Sequence, residues 1–203
     1  SFAETPIRVW RREDGGAWNE RAASGAPVKS AWTMFAPDGT LLAFGPKSAS
    51  VLAPGAAAWA EQVFRPGMPK ITSAVFGSDG TLVTSSNVSA AGAQVWRREA
   101  DGAYVEELLL ADGDDRAQPA FSPDGRTLAI ATRETVVVAR RVDANVSAKP
   151  SGAPWRMSQI ALPEANVEGL AVLPDGNSIA TFNRDGAARV WRERATPALR
   201  HRG

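Results

Sequence analysis

Phe121-Ser122-Pro123-Asp124-Gly125 stands between two apolar runs, Ala117–Ser122 and Arg126–Ala131, and weaker copies of the box stand at Phe35–Gly39 and Phe76–Gly80. The core of the box, Pro-Asp-Gly once relaxed to Ser-Asp-Gly, begins at Pro37, Ser78, Pro123 and Pro174, at spacings of 41, 45 and 51 residues. A self-similar period of that length is too long for a leucine-rich or ankyrin unit and fits a unit of four short strands. The Asp-Gly step supplies the positive φ that a tight hairpin connection demands.

The units align segment by segment. A first segment leads into the triplet (Ala31–Ala36, Ile71–Gly77, Ala117–Ser122, Val167–Leu173), and a second follows it (Thr40–Phe44, Thr81–Ser85, Arg126–Ala131, Asn177–Thr181). A third carries Val-Trp or a degenerate form: Arg8–Arg12, Ser50–Ala53, Gln94–Arg98, Thr135–Arg141 and Arg189–Arg194. A fourth opens on an aromatic, with Trp18, Trp59, Tyr104 and Trp155 in matching places. Each segment is short, β-branched or aromatic, and bounded by Gly, Pro or Asp, so each reads as a strand. The expectation is an all-β chain of antiparallel four-stranded blades, a β-propeller. It divides into a half blade over 6–21, blades over 31–64, 71–110 and 117–162, a three-stranded last blade over 167–194 and a tail over 195–203.

Phe121–Gly125 together with Val9-Trp10, Val95-Trp96 and Val190-Trp191 resembles the WD-repeat family of β-propellers, over nearly the whole chain. Departures are clear: Arg11, Arg97 and Arg192 follow the tryptophan where the family commonly has Asp, and the only histidine is His201. The family's Asp-His-Ser-Trp hydrogen-bond network is therefore not expected, and the blades are expected to rest on stacking and strand pairing alone. Seventeen strands make about 4.25 blades, which do not close a ring. The resemblance implies an open, C-terminal segment of a seven-bladed propeller, completed by an N-terminal part of the same propeller or by another chain. The free edges expected are Pro6–Arg12 and Arg189–Arg194. The resemblance also implies a scaffold or sensor role, in bacteria often fused to a signalling ATPase, a caspase-like protease or a kinase.

Composition narrows the class. The chain has 203 residues, 44% hydrophobic, no Cys and a net charge of +1, so disulfides and thiolate metal sites are excluded and nucleic acid is an unlikely partner overall. No apolar stretch reaches the ~18 residues of a membrane span, and a reducing cytoplasm is the expected compartment. High Ala, Arg and Gly suggest a bacterial source. Five arginines from Arg189 onward form a basic end, read as a solvated strand and tail.

The arginine pairs Arg11-Arg12, Arg97-Arg98 and Arg140-Arg141 recur at the end of the third strand. An anion-binding rim competes there with structural stacking, and a four-residue turn would set Arg11 opposite Trp18 and Arg97 opposite Tyr104 for cation-π contact. Structural stacking is the expectation. Asp112, Asp114 and Asp115 offer oxygen ligands but lack the spacing of a calcium loop, and His201 lies three residues from the end, so neither a metal, a cofactor nor a catalytic triad is expected. The chain reads as a non-catalytic protein-binding scaffold. The alternative is part of a propeller enzyme, or the regulatory lid of one, whose catalytic residues lie outside this sequence. Loops leaving the fourth and second strands vary most between units, and variable loops on a rigid frame are where recognition concentrates. Lys29, Lys70, Asp114 and Arg133 are the candidate partner contacts on that rim, with the excursion over 143–153 as second choice.

Overall fold

The structure is a computed structural model that describes residues 7–22, 32–45, 49–54, 60–64, 70–86, 92–110, 117–132, 134–142, 155–162 and 167–192. Five antiparallel sheets follow one another along the chain. β1 (Arg8–Arg12) and β2 (Trp18–Ala22) form a hairpin. β3 (Trp32–Phe35), β4 (Leu41–Phe44), β5 (Ala49–Ala53) and β6 (Ala60–Phe64) form the second sheet, in sequence order. The third holds β7 (Ser73–Phe76), β8 (Leu82–Ser85), β9 (Ala93–Arg98) and β10 (Tyr104–Leu110), and the fourth β11 (Gln118–Phe121), β12 (Thr127–Ala131), β13 (Thr135–Arg141) and β14 (Trp155–Ala161). β15 (Val167–Val172), β16 (Ser178–Asn183) and β17 (Ala188–Arg192) make a three-stranded fifth sheet. No helix occurs among the described residues, and β1 and β17 do not pair with each other.

One turn design joins the strands. In the box at Ala36–Thr40 the Gly39 N–H donates to the Ala36 carbonyl, and the Ala36 N–H donates to the Thr40 carbonyl. Gly39 has φ +84, so the connection is a turn followed by a left-handed residue, where a side chain would be strained. The same bonds recur at Gly77–Thr81, Glu13–Ala17, Glu99–Ala103 and Asn183–Ala187. Each such connection holds one more residue than a four-residue turn. The register therefore sets Arg12 opposite Trp18 and Arg98 opposite Tyr104, and the expected Arg11–Trp18 and Arg97–Tyr104 pairings are corrected by one position.

Side chains along an inner strand alternate between two cores. On β8, Leu82 joins a cluster with Leu42, Phe44, Val51 and Trp96, whereas its neighbour Val83 joins Val95, Leu128 and Ile130. On β12, Leu128 and Ile130 face one way, and Ala129 and Ala131 face the other, toward Val136, Val167 and Ile179. Leu41, Ala43 and Leu52 take Ile7 and Val9 of the first hairpin in the same manner. Each sheet thus stacks on the next through its own apolar layer, and β4, β8 and β12 are buried along their whole length. Burying a Leu or Val this fully is worth about 1.5–3 kcal/mol.

Polar ties add to the stacking, which corrects the expectation of stacking and pairing alone. Trp96 Nε1 donates to Thr84 Oγ1 at 2.9 Å, and Trp191 Nε1 donates to Thr181 Oγ1 at 3.0 Å. A threonine hydroxyl on the adjacent strand satisfies the indole without any histidine. The aromatics that open the fourth strands differ in fate. Tyr104 and Trp155 are each 5% exposed, while Trp18, at the same register, is 61% exposed because no sheet precedes the hairpin among the described residues. Trp59 lies outside the described residues.

Tyr104→Ala is expected to destabilise the fold by about 3–5 kcal/mol, as loss of a packed aromatic does, and Trp18→Ala by about 0.5 kcal/mol. Equal shifts of the two urea midpoints would contradict this placement.

Candidate functional site

The rim formed by the Asp-Gly turns is described almost completely, and its turn aspartates are held by backbone amides, hydroxyls and, at two of them, arginines. Asp38 Oδ1 accepts the Thr40 N–H at 2.9 Å, and Asp79, Asp124 and Asp175 accept the amides two residues on at 2.9–3.0 Å. This is turn chemistry. Asp175 gives its second oxygen to the Ser178 hydroxyl of its own turn at 2.7 Å, whereas Asp38 and Asp79 leave theirs for another sheet. Asp38 Oδ2 meets Arg98 of the following sheet, and Asp79 Oδ2 meets Arg141 of the sheet after its own, at 2.9 Å. Arg141 also reaches Thr81 Oγ1 and lies over the Trp155 ring, 4.6 Å from its centroid. Arg140 donates to the Gly176 carbonyl at 3.3 Å, and Arg97 pairs with Glu99 at 2.7 Å and Glu107 at 3.5 Å. Trp155 Nε1 donates to Glu107 Oε2 at 2.9 Å, another link between sheets. Arg98, Arg140 and Arg141 act as inter-sheet ties, whereas Arg97 is met by carboxylates of its own sheet.

Protonation follows from these contacts. Partial burial pulls the Asp38 carboxyl upward, but hydrogen bonds from Thr40 and the Arg98 guanidinium outweigh it and hold the group below its ordinary value. Hydrogen bonds from Ser122 and the Arg126 amide lower Asp124, and those from Ser178 and Asn177 lower Asp175. Burial pushes the Tyr104 hydroxyl up to about 12, and it donates to the Gly80 carbonyl at 3.2 Å.

Of the four candidate contacts on the variable rim, Lys70 is described: it is half-buried just ahead of β7. Lys29, Asp114 and Arg133 lie outside the described residues, as do the excursion over 143–153, Asp112, Asp115 and His201. Two clefts open between sheets. One of about 190 Å³ is lined by Val138, Arg140, Ser158, Asn177 and Trp191, and one of about 400 Å³ by Val51, Gln62, Arg98, Asp101 and Gly102. Neither sets a general base beside a nucleophile. Among the described residues no three His, Cys, Asp or Glu side chains gather as a metal site, and no helix is long and apolar enough to cross a membrane.

Three solved structures of similar shape are of the β-propeller type. Hydrazine synthase of Kuenenia stuttgartiensis aligns with 95% of this chain at 16% identity and a TM-score of 0.57. A candidate 6-phosphogluconolactonase of Bacteroides fragilis aligns with 93% at 17% identity and a TM-score of 0.60. A streptogramin B lyase aligns with 94% at 14% identity and a TM-score of 0.52. The fold is of the β-propeller type. The chain spans 66%, 61% and 63% of those three chains, respectively. No family model and no curated protein matches the sequence.

These neighbours correct the expectation that the chain is not an enzyme. A candidate lactonase and a lyase share its fold, so the propeller fold is no argument against catalysis. With His201 the only histidine of the sequence, one kind of base is scarce; carboxylates, Tyr and Lys remain able to move protons.

Asp38→Asn tests the inter-sheet tie through its pH dependence. The Asp38 pKa is depressed in the folded state, so its contribution is present above the unfolded carboxyl value of about 4 and disappears as pH falls through the folded value. The pair is partly exposed and worth about 0.2–1 kcal/mol. Wild type is expected to melt about 1–3 °C above Asp38→Asn at pH 7 and together with it near pH 2. A gap that stays constant across this range would refute the assignment.

Proposed function

We propose that this chain is a portion of a larger β-propeller, WD-repeat-like in its strand pattern, that serves as a protein-binding scaffold or sensor surface in the cytoplasm. The observation that carries the reading is the contrast between the two rims. One rim is built from repeated Asp-Gly turns tied across sheets by Arg98–Asp38 and Arg141–Asp79. The opposite rim carries loops whose length and charge change from unit to unit. A frame fixed on one side leaves recognition to the other. In this reading the ring is completed by further protein, and about seven blades is the size that the WD-like pattern suggests.

A second reading draws on the names of the lactonase and lyase neighbours: the chain would be part of a propeller enzyme, or the lid of a signalling ATPase or caspase-like protease, with the reacting groups supplied from outside this sequence. Fold analogy alone supports it.

The scaffold reading predicts that Lys29→Glu, Lys70→Glu, Asp114→Lys and Arg133→Glu, combined, weaken capture of the partner by about tenfold or more, while Arg126→Glu on the turn rim leaves capture intact. Quantitative pull-down with the parent protein measures both. Unchanged binding by the fourfold variant would reject the variable rim as the site.

A further inference from the structure

Seven Asp-Gly steps lie among the described residues, and six of them are held in one way. At Asp38, Asp79, Asp101, Asp124, Asp175 and Asp185 the carboxylate Oδ1 accepts the amide two residues on, at 2.9–3.0 Å. In the same six steps the glycine N–H donates to the carbonyl three residues before it, at 2.9–3.1 Å, and the glycine is the left-handed residue of the turn. Asp14-Gly15 is the exception. Here the turn runs Glu13-Asp14-Gly15-Gly16-Ala17, and the bond to the Glu13 carbonyl comes from Gly16, which is also the left-handed residue. The aspartate therefore stands one place earlier than in the other turns. Among the described residues, the Gly15 N–H has no acceptor and Asp14 has no hydrogen-bond partner. Both residues are exposed, and a Cβ at Gly15 would meet nothing within 4 Å. The two locks are made inside the five residues of each turn, so the contrast belongs to the turn itself, whatever packs on the hairpin.

The chemistry that such locks suppress is cyclisation. An aspartate carboxyl is open to attack by the amide nitrogen of the residue that follows it, and glycine in that place has no Cβ to obstruct the approach. A carboxylate bonded to the next-but-one amide is held away from that nitrogen, and an N–H that donates to a carbonyl is not free to give up its proton. Hydrogen bonds from Ser122 and Ser178 also hold the Asp124 and Asp175 carboxyls below their ordinary values, which keeps the oxygen that would have to leave unprotonated. Asp14-Gly15 has neither lock.

We propose that Asp14-Gly15 is a site of spontaneous isoaspartate formation in the folded protein, and that the six locked steps are protected from it. The Gly15 nitrogen bonds to Asp14 Cγ, and one carboxyl oxygen departs as water with the carboxyl proton and the amide proton. Water then opens the succinimide ring. Attack at Cγ restores aspartate. Attack at the former main-chain carbonyl breaks its bond to the Gly15 nitrogen, frees it as a carboxylate and leaves the chain running through Cβ and Cγ, with no net change of mass. The added methylene lengthens the turn that sets Arg12 opposite Trp18. The freed α-carboxylate is a substrate group for carboxyl methyltransferases specific for isoaspartyl residues. The modification needs no partner and is independent of both functional readings.

The test is to warm the full chain at neutral pH, below its melting transition, and to map it over time by proteolysis with electron-transfer fragmentation, which tells isoaspartyl from aspartyl peptides of equal mass. Isoaspartate is expected to accumulate in the peptide over 13–21 at least several-fold faster than at any of the six locked steps. In the urea-unfolded chain, where no turn exists, the seven rates are expected to converge. Moving the aspartate by one place separates position from dipeptide. Asp14→Ala with Gly15→Asp gives the first hairpin the Glu-Ala-Asp-Gly-Ala turn of residues 99–103 and is expected to be protected, although it still contains Asp-Gly. Ala100→Asp with Asp101→Gly gives the third sheet the open turn and is expected to react there. Folded and unfolded wild type decide the matter even where a swap destabilises the chain. Equal rates at Asp14 and the locked steps in the folded protein, or cooperatively melting swaps in which reactivity stays with the original hairpin, would overturn the proposal.

Discussion

Each inner strand of this molecule serves two cores at once, and every other feature depends on that double service. With a side-chain period of two, Leu82 and Val83 cannot lie on the same side, so a strand buried on both faces needs an apolar residue at nearly every position. β4, β8, β12 and the middle of β13 meet that demand with Leu, Val, Ile, Ala and Phe, relieved by small hydroxyl residues. The outer strands escape it. β14 has a buried Trp155 followed by mostly exposed residues, because one of its faces looks to solvent. Sheets built in this way have no reason to stop stacking until a face is capped.

The turn rim adjusts this stack without carrying much of its stability. An exposed ion pair such as Arg98–Asp38 is worth about 0.2–1 kcal/mol, against about 1.5–3 kcal/mol for each fully buried Leu. The value of the tie lies in geometry. A carboxylate already fixed by its own turn amides offers its remaining oxygen in one direction, and an arginine from the next sheet can meet it only when the two sheets hold the right angle and offset. The Gly176 carbonyl acts likewise from the other side, taking Thr127 Oγ1 at 3.0 Å and Arg140 at 3.3 Å.

Much of this was legible in local sequence, because turns and strands of this kind are local objects. Pro/Ser-Asp-Gly marks a positive-φ connection, and alternating β-branched and aromatic runs mark the strands, so the all-β class and the four-stranded sheets follow from residues within a few positions of each other. What escaped the sequence depends on distance or on one extra residue. The left-handed Gly16 and Gly102 lengthen their hairpin connections by one position and shift every cross-strand pair. Thr84 and Thr181 look like ordinary strand residues, and only the folded sheet brings their hydroxyls to an indole 12 and 10 residues away. Asp38 and Arg98 are 60 residues apart and belong to different sheets. The candidate site was less legible still, since loop variability shows where change is tolerated and does not show which side chains converge; Lys70 alone of the four is placed. Trp18 and Tyr104 are alike in sequence context, and only the presence of a neighbouring sheet makes one core and the other surface.

Because successive sheets meet through faces of one composition, with Ala, Val and Leu at corresponding positions, a sheet can be duplicated or lost as a unit without redesign of its neighbours. The number of units is then free to drift in a lineage while the contact between units is kept. Selection on such a molecule would act on two separate scales: on single loops, which set what each unit touches, and on copy number, which sets how many such loops are displayed together.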